Sequence, residues 1–192
     1  MGISPELEEF CSRWLAKADD YPDCDTNLAH AFDRFFTLFV VYNRLYAEAT
    51  YRLGQRGRIT LTRRFPDAEA SQEFVVQYLT ASALLRAIDH QRGADVTTIR
   101  DLLQQGRFAL KLDPPDFRPN RDLDLDLSRR LGSRGNQRAC AVLETLYCIR
   151  CNIFHGQKGF HQEQLELLAP ASRLLLVVIE ALYQGLRDEP VA

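Results

Sequence analysis

Tyr147-Cys-Ile-Arg150-Cys-Asn152-Ile-Phe-His155-Gly156-Gln-Lys158 closes the best-formed helical pattern in the chain. Ala139, Val142, Leu143, Leu146, Ile149 and Ile153 recur at steps of three and four, the period of a helix that buries one stripe. Gly132 and Gly135 bracket a turn before it, Asn136 is placed to cap it, and Gly156 fits its stop. The spacing predicts a buried helix that carries Arg150, Asn152 and His155 to a polar site at its end.

The same period extends in both directions. Downstream, Leu165, Leu168, Leu175, Leu176, Ile179, Leu182 and Tyr183 predict a final helix over about Gln162 to Arg187, which Pro170 must kink or divide. At the other end, Ser4-Pro5 reads as a cap and first-turn proline. The helix it starts should run to about Ala18 and bury Trp14. Asp19 to Asn27 is turn-rich. Asn27 is placed to cap a long helix ending near Gly54, whose stripe of Ala31, Phe35, Leu38, Phe39, Tyr42, Leu45, Tyr46 and Ala49 reads as core. Asn43 and Arg44 lie among these residues as a polar flank, with one of them a candidate to reach the site.

Asp67 should start a third helix, with acids at the positive end of its dipole, that ends before Gly93. Asp95 should cap a fourth through Gln105, and the prolines make Phe108 to Asn120 a loop. Asp122-Leu-Asp-Leu-Asp-Leu127 alternates like a strand, yet its neighbours are helical and a short helix is the better reading. Its three carboxylates are flanked by Arg121, Arg129 and Arg130, which argues against a metal cluster. The expected architecture is an all-α bundle of long antiparallel helices with short peripheral ones, in a single domain over residues 1–192.

Composition agrees with that class. The 192-residue chain is 46% hydrophobic and 26% charged, a balance that suits a folded domain with a real core. No apolar run reaches the length of a membrane span; Phe32 to Tyr46, the best candidate, is interrupted by Asp33, Arg34, Asn43 and Arg44. No secretory signal is evident, and Glu6 stands where a myristoylation motif has Ser or Thr. Five cysteines without a disulfide-framework spacing then favour a reducing cytoplasm.

The net charge of −2 does not announce nucleic acid, but the distribution of charge is informative. Of the 24 basic residues only Lys17, Lys111 and Lys158 are lysine, and arginine is the better bidentate phosphate ligand. Tyr51 to Pro66 carries Arg52, Arg56, Arg58, Arg63 and Arg64 with no acid among them, and Ile59-Thr60-Leu61-Thr62 permits a short strand. The block reads either as a ledge for an RNA backbone or as a solvated loop whose arginines pair with acids elsewhere. Lys158 reads equally as a phosphate contact or plain surface.

At about 100° per residue, Asn152 and His155 lie roughly 60° apart, whereas Arg150 is some 140° from His155. A straight helix therefore does not join Arg150 and His155 within one chain. Either the helix loosens near Gly156, or a second copy completes the site across a two-fold axis. A cleft with paired Arg, Asn and His suits RNA cleavage. Histidine takes the 2′-hydroxyl proton, a second histidine protonates the leaving 5′-oxygen, and arginine stabilises the crowded phosphorus. The nucleophile is internal, so no metal or cofactor is required.

Arg150-Cys-Asn-Ile-Phe-His155-Gly resembles the motif of HEPN domains: an arginine, four to six residues, then histidine, late in a helix of an all-α bundle. The preceding Leu143 to Ile149, the following Gly-Gln-Lys and the aromatic helix around Phe35 to Tyr46 add to the resemblance. It implies a homodimer, metal-independent endoribonuclease activity giving a 2′,3′-cyclic phosphate, and a role as a toxin or in defence against phage, with an antitoxin or defence-system partner. By position, Arg150 and His155 take the catalytic roles and Asn152 a supporting one. Cys151 departs from members with a polar residue directly after the arginine. Gln157 replaces the tyrosine of a nucleotidyltransferase-regulated branch, so that partner does not carry over. Because some HEPN domains are non-catalytic, a silent RNA- or protein-binding module is the alternative.

Two other readings use the same residues. Cys148, Cys151 and His155 share a face that could hold zinc, but no fourth ligand is evident beyond nearby His161, and buried apolar cysteines explain the pattern better. His155 also reads as a helix-ending histidine that caps carbonyls.

Overall fold

Ser4 and Asn27 act as their residue types predict. Ser4 Oγ accepts from the Leu7 amide at 3.2 Å and opens α1 (Pro5–Asp19). Asn27 Oδ1 accepts from the Ala29 and His30 amides at 3.0 and 3.3 Å and opens α2 (Leu28–Gln55). The structure, a computed structural model, describes residues 2–154 and 161–189, with the backbone alone for Phe154. It is mostly helical.

The expected helix from Asp67 to Gly93 is instead a series of pieces. These are α3 (Asp67–Glu69), a π-helical turn (Ala70–Phe74), α4 (Val75–Leu79) and α5 (Ala81–Gln104). Thr80 makes the break: its φ is 68°, and its hydroxyl accepts from the Ala83 amide at 3.4 Å, restarting the helix. The stop expected before Gly93 is a kink at Arg92 (φ −142°, ψ 25°) inside α5. Asp95 is no cap; it lies within α5 and receives Arg173 through two hydrogen bonds, at 3.1 and 2.6 Å. Trp14 is only half-buried, with the Lys17 ammonium 5.1 Å from its ring centroid. Residues 59–62 form no strand.

Between α5 and α6 (Arg121–Leu131), β1 (Leu112–Asp113) and β2 (Arg118–Pro119) pair antiparallel. The alternating stretch is helical, as its neighbours predicted, and Asn120 caps it by accepting from the Leu123 amide at 3.0 Å. On α6, Asp124 is buried and accepts from the Leu110 and Lys111 amides at 3.0 and 2.9 Å. Asp126 pairs outward with Arg129 and Arg130. The inner carboxylate thus holds the backbone that leads into β1.

Next come α7 (Gly135–Phe154), a 3-10 turn (Gln162–Gln164) and α8 (Leu165–Arg187), which runs through Pro170. Strongly apolar, α8 packs against both α2 and α5, as a core helix should. Around it, α1 packs on α2, and α6 and α7 on α5, while the π turn touches both α2 and α7. One core cluster draws on all of these helices.

Glu144 ties α7 to the hairpin and to α6, accepting from Arg130 at 2.5 Å and pairing with Lys111. Burial alone would raise its carboxyl, but the hydrogen bonds and charges of Arg130 and Lys111 outweigh it and hold the group below its ordinary 4.5. A depressed folded pKa contributes stability above the unfolded value, and that contribution is lost as pH falls through the folded one. Glu144→Gln should therefore flatten the fall in stability below pH 4.5. Denaturant unfolding of variant and parent between about pH 3 and 7 measures the difference.

Candidate functional site

Two flanks of α7 carry chemistry, and they point to different neighbours. On one, Arg150 is half-buried, its Cζ 5.8 Å from the Phe39 ring centroid and 6.0 Å from that of Tyr147. Its Nη1 lies 3.8 Å from Cys151 Sγ. Both rings lie at the outer limit of cation–π contact with the guanidinium.

Beside Arg150, Asp67 gathers two tyrosines. Tyr46 donates to Asp67 Oδ1 at 2.5 Å and Tyr147 to Oδ2 at 3.1 Å. Burial first, then the Asp67 carboxylate, pushes the Tyr46 hydroxyl above the ordinary tyrosine range. The Tyr147 hydroxyl is raised by burial, then by Cys151 and Asp67. Both therefore remain protonated donors at neutral pH. Phe65 stacks on Tyr46, centroids 6.3 Å apart at 17°, and is itself exposed. Two shallow concavities meet at Asp67 and Phe65: Thr60, Thr62, Arg64 and Tyr147 line one, and Asn43, Arg44 and Ala47 the other. Asn43 and Arg44, singled out in the sequence, are thus exposed at this surface.

Asp67→Ala would leave Tyr46, 1% exposed, without an acceptor. The expected loss is about 1–3 kcal/mol, the cost of an orphaned buried hydroxyl. Chemical denaturation with Asp67→Ala and with the double variant Asp67→Ala, Tyr46→Phe checks it, and the second change should recover part of the loss.

The other flank of α7 carries Asn152. Its residue is 9% exposed, and its Nδ2 donates to the Leu110 carbonyl at 3.1 Å. Asn152 and Arg150 therefore lie on separate flanks of α7, as the helical period predicts, and the Asn152 amide anchors the 107–110 segment. The cause is helical geometry, since two residues on a helix are about 200° apart. His155, Gly156 and Lys158 lie outside the described residues.

The arginine block also divides. Arg52, placed with the RNA-binding arginines by its sequence neighbours, is instead buried among protein acceptors. It donates to Glu48 at 3.0 Å, to the Leu186 carbonyl and Glu189 at 2.8 Å each, and to the Gly2 carbonyl at 3.3 Å. Arg56 pairs with Glu189 at the edge of the same cluster. Arg58, Arg63 and Arg64 are exposed, and none has an ion pair among the described residues. The cationic surface is thus narrower than the block in the sequence; Arg64 lines one concavity with Phe65, and Arg44 lines the other.

Sequence reasoning missed Asp67, Tyr46 and Tyr147 as one cluster. The available signal was that a tyrosine in a buried stripe needs a partner for its hydroxyl. Among the described residues no group of three or more His, Cys, Asp or Glu could hold a metal ion, and no helix is long and apolar enough to cross a membrane. Comparison with protein-family models, with curated proteins and with solved structures returned no match.

Proposed function

We propose that this chain is a metal-independent endoribonuclease of the HEPN type, acting as a homodimer in the cytoplasm as a toxin or anti-phage effector. The observation that carries the reading is Arg150. Its guanidinium lies within cation–π reach of Phe39 and Tyr147 in the last turns of α7, five positions before His155, and Tyr147 shares a concavity with the exposed Arg64. His155 takes the 2′-hydroxyl proton, the 2′-oxygen attacks phosphorus as the P–O5′ bond breaks, the His155 of a second copy protonates the leaving 5′-oxygen, and Arg150 stabilises the charge on phosphorus. The exposed arginines hold the strand by its phosphates. An antitoxin or defence-system protein restrains or triggers it.

The test is incubation of the purified protein with mixed RNA in EDTA, alongside His155→Ala. Cleavage to 2′,3′-cyclic phosphate ends by the parent alone is expected; equal cleavage by both proteins removes His155 from the mechanism. A second reading, a silent module that binds RNA or a protein partner, rests on one observation: the Asn152 amide donates to the Leu110 carbonyl and anchors backbone. That reading predicts no cleavage, with RNA binding that weakens steeply as salt rises.

A further inference from the structure

A pocket of about 210 Å³ lies where α5, the turn between α6 and α7, and the start of α7 meet. Its charged lining is arginine alone: Arg100 from α5, Arg134 from the turn and Arg138 from α7. We propose that this pocket binds a phosphate group, as the free ion or as a monoester. The proposal rests on these side chains and not on the ribonuclease reading.

The two hydroxyls of the wall have given their hydrogens to backbone. Thr97 donates to the Gly93 carbonyl at 3.2 Å, and Ser133 to the Arg130 carbonyl at 2.6 Å. The side-chain donors left for a ligand are guanidinium N–H groups. Arg100 gives Nε and Nη2 to one oxygen of Asp101, at 3.1 and 2.9 Å. Its Nη1 lies toward the turn, 3.8 Å from where a Cβ would stand on Gly132. Arg138 gives Nη1 and Nη2 to Asp89, at 2.8 and 2.7 Å, and keeps Nε. Arg134 is exposed and has no ion pair among the described residues. Asp89 and Asp101 are not part of the lining, so they steady two guanidiniums without filling the pocket. Three cations against two anions leave the group positive.

A wall of cationic donors selects an oxyanion, and guanidinium is the group that grips carboxylate and phosphate oxygens two at a time. Arginines drawn from three elements suit phosphate better than carboxylate. A phosphate monoester presents three acceptor oxygens in three directions, a carboxylate two in one plane. The volume is sufficient, since a cavity of about 150 Å³ accepts benzene. The frame is also set in advance. Ser128 of α6 donates to the Arg100 carbonyl at 3.2 Å, and the Gly132 and Ser133 amides close the turn on α6 carbonyls. Binding therefore has little to order beyond Arg134, which lowers its cost.

Titration calorimetry of the full chain with sodium phosphate, AMP and sodium succinate, each against sodium chloride of equal ionic strength, tests this on parent and Arg134→Gln. Phosphate should bind the parent and raise its unfolding temperature. Arg134→Gln should weaken that binding about tenfold, the factor carried by one hydrogen bond to a charged group. Because Arg134 is exposed, the variant should unfold at the parent temperature in chloride, which separates lost binding from misfolding. Arg13→Gln, the same change of charge on α1, should bind phosphate as the parent does. Arg134-dependent binding of phosphate alone marks the free ion as the ligand, and Arg134-dependent binding of AMP marks a monoester. No binding beyond chloride, succinate bound as tightly as phosphate, unchanged binding by Arg134→Gln, or an equal loss in Arg13→Gln overturns the proposal.

Discussion

Replacing Arg150 with alanine is expected to leave a folded protein whose RNA cleavage is slower by roughly 100- to 1,000-fold, the usual cost of removing one group that stabilises transition-state charge. The folded state should lose only about 1 kcal/mol, since the side chain is half-buried and the rings of Phe39 and Tyr147 lie at cation–π distance. Arg150→Lys should recover little activity, because an ammonium lacks the fork that grips two phosphate oxygens. Single-turnover cleavage of a labelled RNA measures the loss, and thermal unfolding separates it from misfolding.

A mixture distinguishes a two-copy site from a site within one chain. If Arg150 of one copy works with His155 of another, a heterodimer of Arg150→Ala and His155→Ala keeps one such pair in the shared cleft, with water in place of the second histidine. Random mixing puts about half of the dimers in this state, so the mixture should recover activity that neither variant shows alone. A mixture as inactive as either variant alone overturns the two-copy arrangement. The placement of Arg150 and Asn152 on separate flanks gives this test its force: α7 remains helical to Phe154, so the helix itself does not bring Arg150 round toward the residues that follow.

Local chemistry was legible in the sequence, and long-range partnership was not. Ser4 and Asn27 act within three residues of themselves, and both caps were visible beforehand. The α7 stripe was equally visible, because its period is a property of the stretch alone. The carboxylates of residues 122–126 were read as helical from their neighbours, but the inward turn of Asp124 depends on amides 13 and 14 residues away. Thr80 was invisible for another reason. A left-handed threonine is unfavourable by itself, and its cap on Ala83 and the packing around it must hold it there. At the site, Arg150 could be read as an end-of-helix cation, but Tyr46 and Tyr147 joined to one carboxylate could not, because Asp67 is 21 residues from the first and 80 from the second.

Arg52 is the clearest case of that limit, and it gives the second large effect. Arg52→Ala is expected to destabilise the fold by about 3 kcal/mol, at the low end of the range for breaking a buried ion pair. The low end applies because Glu189 keeps Arg56 and the Tyr78 hydroxyl, the latter at 2.8 Å, while Glu48 and the Leu186 carbonyl lose their partner. Its acceptors Leu186 and Glu189 lie 134 and 137 residues away, so sequence proximity grouped it with the surface arginines instead. The two kinds of arginine should separate in paired measurements. Alanine at Arg58, Arg63 or Arg64 should change stability by no more than about 0.5 kcal/mol. Each phosphate contact so removed should lower the salt dependence of RNA binding by about 0.7 in log–log slope. Arg52→Met, which keeps the apolar stem, should lose stability at every salt concentration while leaving that slope unchanged. A slope that falls with Arg52→Met in the folded protein would return this residue to the RNA surface, and a stability loss spread evenly over all five arginines would deny that the cluster joining α2 to the end of α8 is what Arg52 holds.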